Sequence, residues 1–462
     1  MRVLLSVLAM LPLLALACAG SEPTPATPAP PPSPPPPPAA TPVAATPLAP
    51  PVNPPRETVI PTVDKLLKVG MKGTPESSWG SAGVAALRVH PALVSADGAG
   101  GVYVFDQRTA GANDNRVVAT HLSPSGAADV AFGQGGELVL GAAGTTLLQG
   151  VTLDAKSRVV LLVSQRAATA SQPSLIAYRF AGGKLDPSFN GGGASTVTIP
   201  APAVSRATGA VAIASDNAGR VVIAGTDDPA AKRQVFVVRL TETGSVDPSF
   251  ARGVAVSSHS SFAYDVARVV VDSGNGSVVV VANKSVQGGV VSGGAETAPA
   301  GSGIALFRFD GNGMADSKYG TGGAAVIDDQ SCVGLDAFSA NGSVVVGGYT
   351  GGTPATMKPV LIRWHENGTL DSGFGSGGKL VLGGMAGATL GRVRRVARDG
   401  MGRVVAVGGY RTGQDTAVTF VSRLDKDGKL DASYGTGGTA SFNVQAAEPE
   451  IDPQGSVFFR AP

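Results

Sequence analysis

The stretch LDPSFNGGG, Leu185 to Gly193, decides the fold because the chain writes it repeatedly. SVDPSFARG follows at Ser245, MADSKYGTGG at Met314, TLDSGFGSGG at Thr369 and KLDASYGTGG at Lys429. Aligned on the aromatic, the copies are Trp79, Phe132, Phe189, Phe250, Tyr319, Phe374 and Tyr434, at intervals of 53, 57, 61, 69, 55 and 60 residues. Three positions before each aromatic stands an acid: Glu76, Asp129, Asp186, Asp247, Asp316, Asp371 and Asp431. An aspartate bonds its own backbone two residues on, and glycines admit positive φ, so the motif reads as a recurring turn.

A second motif alternates with it, a turn followed by a β-branched run. It is clearest in DNAGRVVIAG at Asp216, DSGNGSVVVVAN at Asp272 and RDGMGRVVAVGG at Arg398. A third element is a strand entering a turn, as in LIAYRFAGG at Leu175, VFVVRLTETG at Val235 and VLIRWHENG at Val360. Each unit therefore holds about four short antiparallel strands, the pattern of a propeller blade. Leu-Asp-x-Ser-Phe-Gly-x-Gly-Gly about 60 residues apart, with Asp-x-x-Gly-Arg-Val-Val between, resembles the delta-60 repeat family of bacterial exported proteins. The resemblance covers the chain from about Lys65 onward and implies a β-propeller-like fold without implying an activity.

The expected fold is all-β: a seven-bladed propeller of four-stranded antiparallel blades over residues 63–462. The last unit stops after its second strand. The N-terminal segments Asp64 to Gly73 and Gly83 to Leu87 supply the two strands it lacks, which would close the ring. Unpaired ends would leave open sheet edges, which proteins avoid. Up-and-down strands put both repeated turns on one face and the variable connections on the other. The longest connections are Asn283 to Gly303, Ala168 to Ser174 and Thr226 to Gln234. Loops on a rigid scaffold commonly carry binding, which makes the variable face the expected binding face.

The N-terminus reads as an address. Arg2 precedes an apolar run, Val3 to Leu16, too short to span a bilayer comfortably, so residues 1–17 read as a signal peptide. Ala15-Leu16-Ala17-Cys18 resembles a bacterial lipobox, which implies lipid attachment at Cys18; cleavage after Ala17 to give a secreted protein is the alternative. Residues 18–62 form a linker, with 17 prolines in the 35 positions from 21 to 55. Proline-rich chain extends at ~3.1 Å per residue, a reach of roughly 110 Å from that segment. With Ala19 after the cysteine, the lipoprotein resemblance implies anchoring to an outer membrane.

Composition narrows the function. A formal charge of +2 with 15% charged residues excludes the basic stripe of a nucleic-acid binder. Two cysteines, Cys18 and Cys332, provide no disulfide framework. The four histidines, His90, His121, His259 and His365, fall in different units without metal-ligand spacing. Asp425, Asp427 and Asp431 on one turn are weak calcium candidates, but no cofactor is expected. The innermost strands read VAIAS, VARVVV, LDAFS and VRRVAR, which offer few acids or histidines. The expectation is thus a monomeric, non-enzymatic envelope lipoprotein, a scaffold binding a protein or polysaccharide. The alternative is a hydrolase or lyase with its site at the central hub.

Overall fold

In the computed structural model the described residues run from 65 to 461. The excepted connections are 88–91, 112–113, 142–143, 168–173, 198–211, 228–233, 258–262, 286–302, 330, 383–387, 413–415 and 445–448. Cys18, the proline-rich linker, His90, His259 and most of the variable-face connections therefore lie outside them. Strands dominate, and the described residues hold one short 3-10 turn, Ala251–Gly253. None of the described helices is long and apolar enough to cross a membrane.

The strands form antiparallel sheets of four, each built from consecutive hairpins. One runs Ala212–Ser215, Val221–Asp227, Gln234–Leu240, Ala255–Ser257, and the next Ala263–Val271, Val278–Ser285, Gly303–Phe309, Ala324–Ile327. Then come Val333–Ala340, Ser343–Thr350, Lys358–Trp364, Lys379–Val381, and finally Ala388–Arg398, Val404–Thr412, Thr416–Leu424, Thr439–Phe442. A further sheet joins the two ends of the chain in the order Val84–Ala86, Lys65–Val69, Val457–Ala461, Glu450–Ile451. There Leu67 pairs with Phe459 and Val69 with Val457.

The region from Leu93 to Val197 departs from separate four-stranded sheets and forms one sheet of nine strands. Its two halves meet through a single parallel bridge, Asn115 to Thr145. Only three residues separate the strand ending at Leu140 from the one beginning at Gly144, so neighbouring strands start side by side.

The middle strands are apolar on both faces because both faces are covered. Every residue of Gly303–Phe309 is buried. Val237, Val280 and Phe307 share one core between adjacent sheets, and Val281, Val346 and Ile362 share the next. The sheet formed by the chain ends packs Val69 and Phe459 with Val405 and Val407, and packs Leu66 and Phe458 with Val94 and Val104. At about 1.5–3 kcal/mol per fully buried side chain, these inter-sheet layers are the main stabilising term.

Candidate functional site

The repeated turn is built first by its acid. Asp186 Oδ1 accepts the Ser188 amide and hydroxyl at 2.9 and 2.7 Å, and Asp247 does the same with Ser249. The other carboxylate oxygen takes an arginine from the preceding strand: Arg179 to Asp186, Arg239 to Asp247 and Arg423 to Asp431 at 2.8 Å, and Arg363 to Asp371 at 2.6 Å. Arg308 lies 3.4 Å from Asp316. Burial opposes ionisation of Asp186, but the Ser188 bonds and Arg179 outweigh it and hold the carboxyl below its usual range.

The same arginine stacks on the motif aromatic. Its guanidinium carbon lies 4.5 Å from the ring of Phe189, and the distances at Phe250, Tyr319, Phe374 and Tyr434 are 4.6, 5.5, 4.5 and 4.7 Å. It then donates to a backbone carbonyl of the next unit, Arg179 to Glu242 O at 2.5 Å and Arg239 to Gly311 O at 2.7 Å. The ring abuts the next unit's turn glycine. A Cβ on Gly244, whose φ is +94°, would stand 3.0 Å from Phe189. All seven motif aromatics, Trp79 included, are buried. The arginines were visible in five of the strands of this type, at Arg179, Arg239, Arg308, Arg363 and Arg423, but their role needed the contacts across units.

The calcium candidates are engaged in turn chemistry. Asp425 Oδ1 accepts the amides of Asp427 and Lys429, Asp427 pairs with Lys426, and Asp431 holds Arg423 and Ser433. Among the described residues no three His, Cys, Asp or Glu side chains gather as a metal site. Cys332 is buried, with Sγ 3.4 Å from Asp329 Oδ2, and burial pushes its thiol up. His365 lies 3.6 Å from Asp371.

The chemically richer place is where the first strands of the sheets converge. A cavity of about 230 Å³ is lined there by Gln149, Arg268, Asp336, Arg394, Arg395 and neighbouring apolar residues. The strands reach it through a shared irregularity. Register shifts fall at Leu148/Gly150, Val266/Arg268, Gly334/Asp336 and Val393/Arg395. A bulge places two successive side chains where alternation would place one, and so re-aims polar residues inward.

These residues form one ionic cluster. Arg268 lies 3.0 Å and Arg395 3.7 Å from Asp336, and Arg395 reaches Glu450 at 2.5 Å. The Val396 amide donates to Asp336 Oδ2 at 2.8 Å. Burial holds the Glu450 carboxyl above its usual range, against the pull of Arg395 and Arg268. Glu450 also borders a second opening of about 360 Å³, shared with Asp154, Asp216, Arg398 and Asp452. The sequence reading of the inner strands as offering few acids or histidines passed over this cluster, and Glu450 was not singled out at all.

Residues 219–250 match the model of a β-propeller family described as a domain of unknown function, DUF5122. The match is partial, and with the sheets above it supports a propeller-like protein. No curated protein matches the sequence. Among similar solved structures, a polysaccharide lyase titled an ulvan lyase has TM-score 0.39 and 11% identity, over 77% of this chain and 78% of its own. A glucose dehydrogenase has TM-score 0.38 and 14% identity over 69% and 93%. A protein of unknown function from Dyadobacter fermentans has 0.37 and 12% over 71% and 91%.

The expectation of a non-enzymatic protein is corrected here. A polysaccharide lyase and a glucose dehydrogenase are among the similar solved structures, and the bulged inner strands carry Arg268, Asp336 and Arg395. At these identities and TM-scores the likeness assigns no activity to this chain, and the substrates of those enzymes remain their own.

Proposed function

We propose that the protein is a seven-unit propeller acting at its hub on an anionic substrate, as a hydrolase or lyase. The ring reading is supported by first strands that neighbour one another in a circuit. Leu93–Ala96 touches Gly144–Leu153, and the contacts continue through Ala212–Ser215, Ala263–Val271, Val333–Ala340, Ala388–Arg398 and Glu450–Ile451 back to Leu93–Ala96.

The observation that carries the functional reading is the bulge-aimed cluster of Arg268, Arg395, Asp336 and Glu450. Guanidinium groups hold carboxylate or sulfate groups by paired, charge-assisted hydrogen bonds. Hydrolysis and elimination both need a positioned group that gives or takes a proton near neutral pH. Glu450, buried in the cluster and held by Arg395, is the carboxyl placed to do so. Arg268 and Arg395 bind the anion, and Asp336 fixes both arginines.

The test is incubation with uronate-containing polysaccharides, following new reducing ends and unsaturated products. Turnover that falls about a hundredfold or more in Glu450→Gln is the expected result. Absence of both turnover and thermal stabilisation by uronate would overturn it.

The same proposal places the protein outside the cytoplasm, anchored through Cys18 on the proline-rich stalk. Mass spectrometry of the N-terminal peptide tests this: a diacylated Cys18 is expected, and an unmodified one removes the anchor.

A further inference from the structure

In three units a turn arginine fills a slot between two acids, and in one of the remaining units the turn acid is missing as well as the arginine. Arg158 lies 2.7 Å from Asp154 and 3.9 Å from Asp186, Arg220 spans Asp216 and Asp247, and Arg403 spans Asp399 and Asp431. In the unit between Val333 and Val381 the turn is shorter. Ala340 pairs directly with Ser343 across Asn341 and Gly342, both at positive φ. This is the two-residue hairpin that Asn-Gly favours. Neither acid nor arginine remains at the turn, and a cavity of about 290 Å³ opens in their place.

Three further departures converge on this cavity. Arg179, Arg239 and Arg423 each place Nη2 on a serine hydroxyl, at Ser188, Ser249 and Ser433. Gly373 stands at the matching position of this unit, so Nη2 of Arg363 has no such partner, while Nε remains on Asp371 and Nη1 on Lys426 O. At the matching turn position two other units place a carboxylate near an arginine, Glu242 at Arg158 and Glu366 at Arg308; here the position holds Lys426. Arg398 enters from the neighbouring sheet and makes no hydrogen bond or ion pair with a described residue.

The wall thus carries Arg363, Arg398 and Lys426. The acids beside them are Asp371, held by Arg363, and Asp427, held by Lys426. Phe338, Val345 and Val404 form an apolar floor.

We propose that this inter-sheet cavity binds a small molecule bearing a phosphate or carboxylate, with its apolar part on Phe338 and its anionic group among Arg363, Arg398 and Lys426. The proposal does not depend on the reading given to the hub, although Arg398 also borders the opening beside Glu450. Each loss of a repeat residue here removes a protein group that would otherwise occupy the space or neutralise the arginine. A charge-assisted anion contact in a partly desolvated slot is the interaction that replaces them.

The test is calorimetric titration of the full chain with phenyl phosphate at low salt. Saturable binding is expected. Ser343→Arg puts a guanidinium into the cavity on the side of Asp371, as Arg403 faces Asp431, and by filling the space should abolish binding while leaving the thermal midpoint unchanged or raised. Lys426→Glu restores the carboxylate seen at Glu242 and should weaken binding about tenfold or more, a loss of roughly 1.4 kcal/mol. Wild-type protein that shows no saturable binding, or Ser343→Arg binding as tightly as wild type, would overturn the proposal.

Discussion

Two neighbouring units solve the same electrostatic problem with different residues. In the unit of Phe189, four charges alternate: Asp154, Arg158, Asp186 and Arg179. In the unit of Phe132, Gly101 stands where the turn arginine would be and His121 where the strand arginine would be. His121 alone joins both acids, Nδ1 to Asp129 at 2.9 Å and Nε2 to Asp97 at 3.1 Å, with the Tyr103 ring 4.6 Å away and Phe132 beyond. Both imidazole nitrogens face carboxylates, so the arrangement is complete only when the ring is protonated. The comparison teaches that the repeat specifies a charge bridge across the turn rather than a particular residue. It also makes one bridge permanent and the other titratable.

The hardest way to break this comparison is on the arginine side. Arg179 is fully buried, and its removal leaves Asp186 buried with only the more distant Arg158 at 3.9 Å and Phe189 without its stacked partner. Arg179→Met should cost about 3–5 kcal/mol, the range for stranding one member of a buried pair. Urea unfolding measures it; a loss below ~1 kcal/mol would mean that the bridge is a surface-type pair.

A smaller effect is expected on the histidine side at Gly101. A Cβ there would stand 2.5 Å from Asp97 Oδ2, 2.7 Å from Leu122 O and 3.0 Å from His121 Nε2. Gly101→Ala forces the histidine and its acid apart and should cost about 1–3 kcal/mol, as overpacking does. An unchanged unfolding midpoint would show that the His121 bridge can shift aside, and would remove the reason for glycine at this position.

How much of this was legible in the sequence follows from the same residues. Strands, turns and the seven motif aromatics announce themselves by period, because alternation and turn chemistry are local. The Arg179-to-Glu242 bond joins residues 63 apart, and no local rule connects them. The hub was harder still. A bulge at Ala267, Leu335 or Arg394 shifts alternation by one residue, so strict period-two reading turns Arg268, Asp336 and Arg395 the wrong way. Glu450 lies in a two-residue strand too short to carry a period. The empty turn slot was written openly, as SANGS against DNAGR, but it acquires meaning only beside the filled slots.

The finest distinction between the two units is their response to pH. Burial works against the His121 charge, yet its hydrogen bonds to Asp97 and Asp129 outweigh it and raise its pKa; Asp97 and Asp129 are correspondingly lowered. A raised histidine pKa stabilises the folded state in full below the unfolded value of about 6.5, and that contribution is lost as pH rises through the folded value. A guanidinium does not titrate in this range, so an arginine bridge has no such dependence. His121→Gln keeps a donor without the charge. The gap between wild-type and His121→Gln unfolding midpoints should therefore be widest below about pH 6.5 and close as pH rises. Glu450 and Asp452, also raised by burial, cancel in this difference because both proteins carry them. A gap that stays constant across neutral pH would mean that His121 is held neutral, and the two units would then differ in packing alone.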